Sequence, residues 1–215
     1  MIKAEKIFKY RIKLSKSKDS ITRHEARKML CAALLNSGLM LALNKGNPKL
    51  NLGPGAAPNE ASLCEFADIS LLRESSEEEI KNKLAPFVTG GFKIESVKEV
   101  PYAISSVEVL ASYAAYNIKG LKGDIDKAAK SQKIEYEVLH PNGMREIKNI
   151  RLSIYSIKAE GAGEVEIIIK LDVLGSLGMA QILTMLPGLE VEEGKLEILR
   201  TALLWQKADG APEAV

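Results

Sequence analysis

Histidine and cysteine, the side chains that most often act as bases, nucleophiles or metal ligands, occur only twice each in this 215-residue chain. His24 lies in a basic stretch and His140 in a turn. Neither stands beside a serine or cysteine in a nucleophile arrangement, so both read as surface residues. Cys31 and Cys64 sit on apolar stretches without metal-type spacing, which reads as two buried reduced thiols. A Walker phosphate loop, a GxGxxG after a strand, HExxH and CxxC are all missing. Those routes to nucleotide, zinc and thiol chemistry are therefore excluded, and no metal or cofactor is expected. No apolar run reaches membrane-spanning length, and MIKAEKIFKYRIKL has no apolar block followed by a small-residue cleavage site. The expectation is a cytoplasmic protein without membrane association.

What is present is an ordinary globular composition, 46% hydrophobic and 27% charged, enough for one large or two small domains. Net charge is only +2, but it is unevenly spread. Residues 1–50 carry twelve lysines and arginines against Glu5, Asp19 and Glu25, a surplus that an acidic remainder offsets. Such asymmetry points to a polyanion or an acidic protein surface as partner, and a solvated charged face is the alternative.

Hydrophobic periodicity orders the first half as strand, helix, strand, strand, helix, strand. KYRIKLSK alternates, placing Tyr10, Ile12 and Leu14 on one face and Lys9, Arg11 and Lys13 on the other. A helix is predicted over 22–37, with Ala26, Met29, Leu30, Ala33 and Leu34 on its buried stripe and Gly38 as its stop. LMLAL is predicted as a short strand, SLCEFADISLL as a third, SSEEEIKNKLAPFV as a helix with a serine cap, and FKIESVKEVPY as a fourth strand. That order is the ferredoxin-like split motif. A second, elaborated unit follows, with an Asn-Gly hairpin at His140–Gly143 and a hairpin through Gly161–Gly163. The expected organisation is α+β, two tandem ferredoxin-like units with mostly antiparallel sheets. Their spans are 1–104 and 105–207, and a disordered tail covers 208–215.

LNKGNPKLNLGPG, residues 43–55, is the most unusual stretch, rich in glycine, proline and asparagine with Lys45 and Lys49 between apolar segments. It lies between two predicted strands, so no helix N-terminus is available there to hold a phosphate. It reads first as a connector, and second as a binding loop that would use Lys45, Asn47 and Lys49.

YRIKLSK, ITRHEARKMLCAALLNSGLMLALNKGNPKLNLGPG, EFADISL and the closing KLEILRTALLW together resemble the radical SAM-linked protein family. That family has no assigned biochemical activity. Its members are typically encoded beside, or fused to, a radical SAM protein, and often near genes for a ribosomal-RNA-processing ribonuclease and ribosomal proteins. Where the family opens its first helix with Ser-His-Leu-Asp, this chain has Thr22, Arg23, His24 and Glu25, with the spacing to Gly38 kept. The family's Gly-Phe-Asn-Pro-x-Pro-Lys loop is shortened here to Gly46-Asn47-Pro48-Lys49, and its acidic strand motif persists as Glu65-Phe66-Ala67-Asp68. The resemblance implies a bacterial protein that works with a radical SAM partner on RNA or a ribosomal component. This chain lacks the three-cysteine cluster motif, so that chemistry would belong to the partner.

Two functional expectations follow. The first is a non-enzymatic accessory module that binds through Lys9, Arg11, Lys13, Arg23, Arg27, Lys45, Asn47 and Lys49. Only Tyr10 is aromatic in the basic strand, on its apolar face, so contacts to the nucleic-acid backbone would dominate and be salt-sensitive. The second is a small RNA-processing or RNA-modifying enzyme using Arg23, His24 and Glu25 with Lys45, which requires those residues to converge. A purely structural adaptor is a third alternative.

Overall fold

A computed structural model describes residues 6–140, 142–161, 163–174, 177–192, 194–207 and 211–214. The chain is mixed α/β with mostly antiparallel sheets, and it divides into two compact units, one ending at Ala111 and one spanning Ser112–Ala214.

The first unit runs β1 (Phe8–Lys16), α1 (Arg23–Asn36), β2 (Leu43–Asn44), β3 (Asn47–Pro48), β4 (Leu50–Leu52), β5 (Ala61–Leu71), α2 (Glu77–Leu84), β6 (Phe92–Val100) and α3 (Val107–Leu110). Its sheet has the order β4-β5-β1-β6, antiparallel throughout. The alternation in β1 holds: Tyr10, Ile12 and Leu14 are buried under Leu30, Ala33 and Leu34 of α1 and Ile80 and Leu84 of α2. Both helices therefore cover one sheet face. Each of the leucines and isoleucines among these side chains contributes on the order of 1.5–3 kcal/mol on burial.

α1 begins at a full capping box. Glu25 N–H donates to Thr22 Oγ1, while Thr22 N–H and its hydroxyl both donate to Glu25 Oε2 at 2.8 Å. The backbone N–H of Thr22, followed by its hydroxyl, holds the Glu25 carboxyl below its usual range. A depressed folded-state pKa contributes stability above the unfolded value and loses it as pH falls through the folded value. Glu25→Gln should thus flatten the acid limb of the stability profile below about pH 4, measured by denaturant unfolding at stepped pH.

The predicted second strand is corrected. Residues 39–42 form no strand, only an isolated bridge from Leu41 to Leu71, and Leu43 opens the separate β2–β3 hairpin. The edge partner of β5 is instead β4, seven residues beyond Leu43 at its start, with Leu50 opposite Ile69 and Leu52 opposite Ala67. The two pieces belong to one interrupted edge. Ala42 N–H donates to Ser70 O, Lys49 N–H donates to Ala42 O, and Ser70 N–H donates to Lys49 O. Between Ala42 and Lys49 the chain leaves the edge as the β2–β3 hairpin and returns. Edge strands tolerate such excursions because only one side must keep its ladder.

The second unit runs β7 (Tyr113–Lys119), β8 (Leu121–Gly123), α4 (Ile125–Lys130), β9 (Glu135–Leu139), β10 (Arg145–Asn149), β11 (Ile154–Gly161), β12 (Glu164–Lys170), α5 (Leu171–Leu174), α6 (Met179–Met185), β13 (Leu189–Val191), β14 (Glu197–Gln206) and β15 (Pro212–Ala214). Its main sheet has the order β11-β12-β7-β14, again antiparallel. β9 and β10 form the expected hairpin, whose Pro141 lies outside the described residues, as does Ala162 in the next turn. Of the tail expected to be disordered, Pro212–Ala214 pairs with Leu204–Gln206, an edge that extends the β14 ladder; residues 208–210 and 215 lie outside the described residues.

Candidate functional site

The residues expected to form one cationic sheet face are divided by the structure. Asp68, on β5, is 2% exposed at its side chain and accepts from Arg11 Nε at 2.8 Å and Nη2 at 3.1 Å. Lys9 Nζ lies 3.3 Å from the same carboxylate. Lys9 also donates to Ile104 O at 2.6 Å and Arg11 to Ser105 O at 3.0 Å. Lys9 and Arg11 are therefore a buried clamp that pins the segment after β6 across the sheet. Asp68 belongs to the acidic strand motif Glu65-Phe66-Ala67-Asp68, and its role follows from register, which sets Arg11 directly opposite it. Lys13 is half-buried and faces Phe66 and Ser96.

The helix-tip candidates serve the scaffold. Arg23 donates to Leu52 O at 3.1 Å and pairs with Glu108 at 2.9 Å. Both partners of that pair are about half exposed, so it stabilises weakly. Arg23 lines a narrow cleft of about 20 Å³ with Lys16 and Glu65, room for about one water. Glu25 is committed to the capping box, and His24 is exposed on α1. Lys45 lies elsewhere, so the four residues proposed for catalysis do not share a cleft.

Where Lys45 does lie is a groove of about 770 Å³ in the first unit. Arg27 and the half-buried Cys31 of α1 form one wall, and the β2–β3 hairpin, Lys49, Leu50 and Asn51 form another. Lys9, Ser70 and Tyr102 complete it. Four cations line the groove, and among its described lining residues there is no carboxylate. Lys9 is already paired with Asp68, whereas among the described residues no ion pair engages Arg27, Lys45 or Lys49. Arg23 and Arg27 are one turn apart, yet only Arg27 reaches the groove. Cys31 contradicts the expectation of two buried thiols; Cys64 alone is buried.

The stretch read as a connector is a tight hairpin. Leu43 pairs with Pro48 and Asn44 with Asn47, leaving Lys45-Gly46 as a two-residue turn. Both have positive φ, 49° and 81°, as a type I′ turn requires. Glycine adopts this region freely, but for lysine it costs about 1 kcal/mol. Lys45 thus holds a strained backbone at the tip of a groove-lining hairpin, where the residue is exposed. Lys45→Asn creates the favoured Asn-Gly turn and should raise the unfolding free energy by about 0.5–1 kcal/mol. The same change should weaken polyanion binding several-fold, and denaturant unfolding and oligonucleotide titration on one preparation check both signs.

Among the described residues no group of three or more His, Cys, Asp or Glu side chains could hold a metal, and no helix is long and apolar enough to cross a membrane. Sequence reasoning missed Asn44, Asn51, Ser70 and Tyr102, which the fold brings to the groove from four separate segments.

No curated protein matches the chain. Residues 9–183, which include every residue of the groove, match the family described as an uncharacterized protein conserved in bacteria (DUF2344), and the chain belongs to that family.

Proposed function

We propose that this chain is a binding module that engages the phosphate backbone of RNA through the first unit's groove and acts as an accessory to a radical SAM partner. One observation carries the RNA reading: Arg27, Lys45 and Lys49 converge on one groove without a carboxylate among its described lining residues. Like charges gathered at one surface repel, and a polyanion relieves that repulsion while releasing its own counterions. Asn44, Asn47 and Asn51 add amide donors and acceptors suited to phosphate and sugar oxygens. The volume falls within the range of about 300–1,000 Å³ typical of small-ligand sites, enough for a nucleotide-sized segment. The radical SAM partnership rests on the resemblance carried by the β1, α1 and hairpin motifs.

We further read both units as ferredoxin-like. In each, the sheet order is second, third, first, fourth of the four main strands, with a helix after the first and after the third. This order supports an origin as two related α+β units. The groove sits on the first.

The test is ultraviolet crosslinking of the tagged full chain in its bacterial host, with mapping of crosslinked peptides and identification of co-purified proteins. Crosslinks to RNA on residues 43–51 or on the α1 peptide containing Arg27 are expected, together with recovery of a radical SAM protein. Recovery without RNA, or crosslinks confined to the second unit, would overturn the RNA reading. Recovery without any radical SAM protein would overturn the partnership.

A further inference from the structure

Resting on the RNA reading above, we infer that the groove selects single-stranded RNA by stacking an unpaired base on Tyr102. Tyr102 is 58% exposed and lines the same groove as Arg27, Lys45 and Lys49. An aromatic ring left this open loses the burial that usually stabilises it, and next to a cationic track it forms the two-part surface that single strands require. Cations follow the backbone, and a ring accepts the face of a base. A duplex keeps its bases stacked on each other and cannot use the ring.

The turn that carries the ring is also held in place. It is closed by Ile104 N–H donating to Pro101 O at 3.0 Å. The far end of that turn is tied down by Lys9 Nζ on Ile104 O and Arg11 on Ser105 O, both anchored by buried Asp68. The two cations expected to bind RNA themselves thus position the aromatic element that the basic segment lacked. Pre-organising the turn that presents the ring lowers the ordering cost of binding. Asn44, Asn47 and Asn51 lie on the same groove, where their amides can meet a base edge or a ribose hydroxyl.

Three probes separate this inference from the general polyanion reading: a labelled oligoadenylate of about ten nucleotides, the same strand annealed to its complement, and inorganic polyphosphate. Each is titrated against the full chain and against Tyr102→Ala and Tyr102→Phe. Thermal unfolding confirms that the variants remain folded, since the side chain is exposed. The expected result is tightest binding of the single strand and a loss of about 5- to 100-fold for it alone in Tyr102→Ala. Tyr102→Phe, which keeps the ring, should stay within about twofold of the unaltered chain. If Tyr102→Ala leaves single-strand affinity unchanged, weakens all three probes equally, or the duplex binds as tightly as the single strand, the stacking inference is overturned and polyanion binding stands. If the unaltered chain binds none of the three, both readings fall.

Discussion

Replacing Asp68 with alanine should lower the unfolding free energy of the chain by about 3–5 kcal/mol. The reason is asymmetry of partners. Asp68 is 2% exposed and compensates two cations, Lys9 and Arg11, that are themselves only 10% and 13% exposed. Removing the carboxylate leaves both charges buried and unpaired, which costs far more than the pair itself contributes. The combined change Lys9→Met, Arg11→Met and Asp68→Leu should cost much less than Asp68→Ala alone, because no charge is then stranded. The Ile104 and Ser105 carbonyls that lose donors are exposed and can turn to water. Denaturant midpoints with unchanged slopes give the comparison. A triple variant less stable than Asp68→Ala would show that the three groups are not one electrostatic unit.

Reversing the groove, with Arg27, Lys45 and Lys49 each changed to glutamate, should reduce single-stranded RNA affinity by more than about 100-fold. On the proposed RNA reading three favourable phosphate contacts become three repulsive ones, with no acidic residue among the described lining to blunt the change. The side chains are exposed or half-buried and engage no ion pair among the described residues, so stability should move little. Lys13→Glu serves as the control for nonspecific charge: it lies on the same basic segment but outside the groove, and should change affinity only a few-fold. Reversals at Lys9 or Arg11, although suggested by the alternation of β1, would report unfolding of the Asp68 clamp rather than binding.

Elements governed by local rules were readable in the chain itself. The alternation of Tyr10, Ile12 and Leu14 against Lys9, Arg11 and Lys13 identified β1 and its buried face, because a half-buried strand must repeat every two residues. The helical spacing of Ala26, Leu30, Ala33 and Leu34 marked α1, and Ser76 before Glu77–Glu79 marked the start of α2. What failed depended on partners distant in sequence. LMLAL has strand composition, but whether an edge stretch pairs is decided by β5, and here the ladder passes from Ala42 to Lys49 around a hairpin. Lys45-Gly46 lacks the Asn-Gly signal of a type I′ turn, so the hairpin was hidden by a residue chosen against backbone preference. Lys9 and Arg11 looked like ligands because Asp68, 57 residues from Arg11, could not be placed opposite them before the register was known. Tyr102 closes the fourth predicted strand, outside the basic segment, but the strand ends at Val100 and the pinned turn that follows brings the residue to the groove. The candidate site was thus partly legible: Lys9, Arg27, Lys45, Asn47 and Lys49 from charge and composition, the other lining residues from topology alone.

The most direct test of the groove as a phosphate-backbone site is the salt dependence of single-stranded RNA affinity, measured for the unaltered chain and for the triple reversal. Three cations engaging phosphates predict a slope of log affinity against log salt of about −2, at about 0.7 per contact. The reversed groove should bind too weakly to yield that slope. Affinity in the unaltered chain that ignores salt, or a triple variant retaining the same affinity and slope, would contradict the assignment of this groove to RNA.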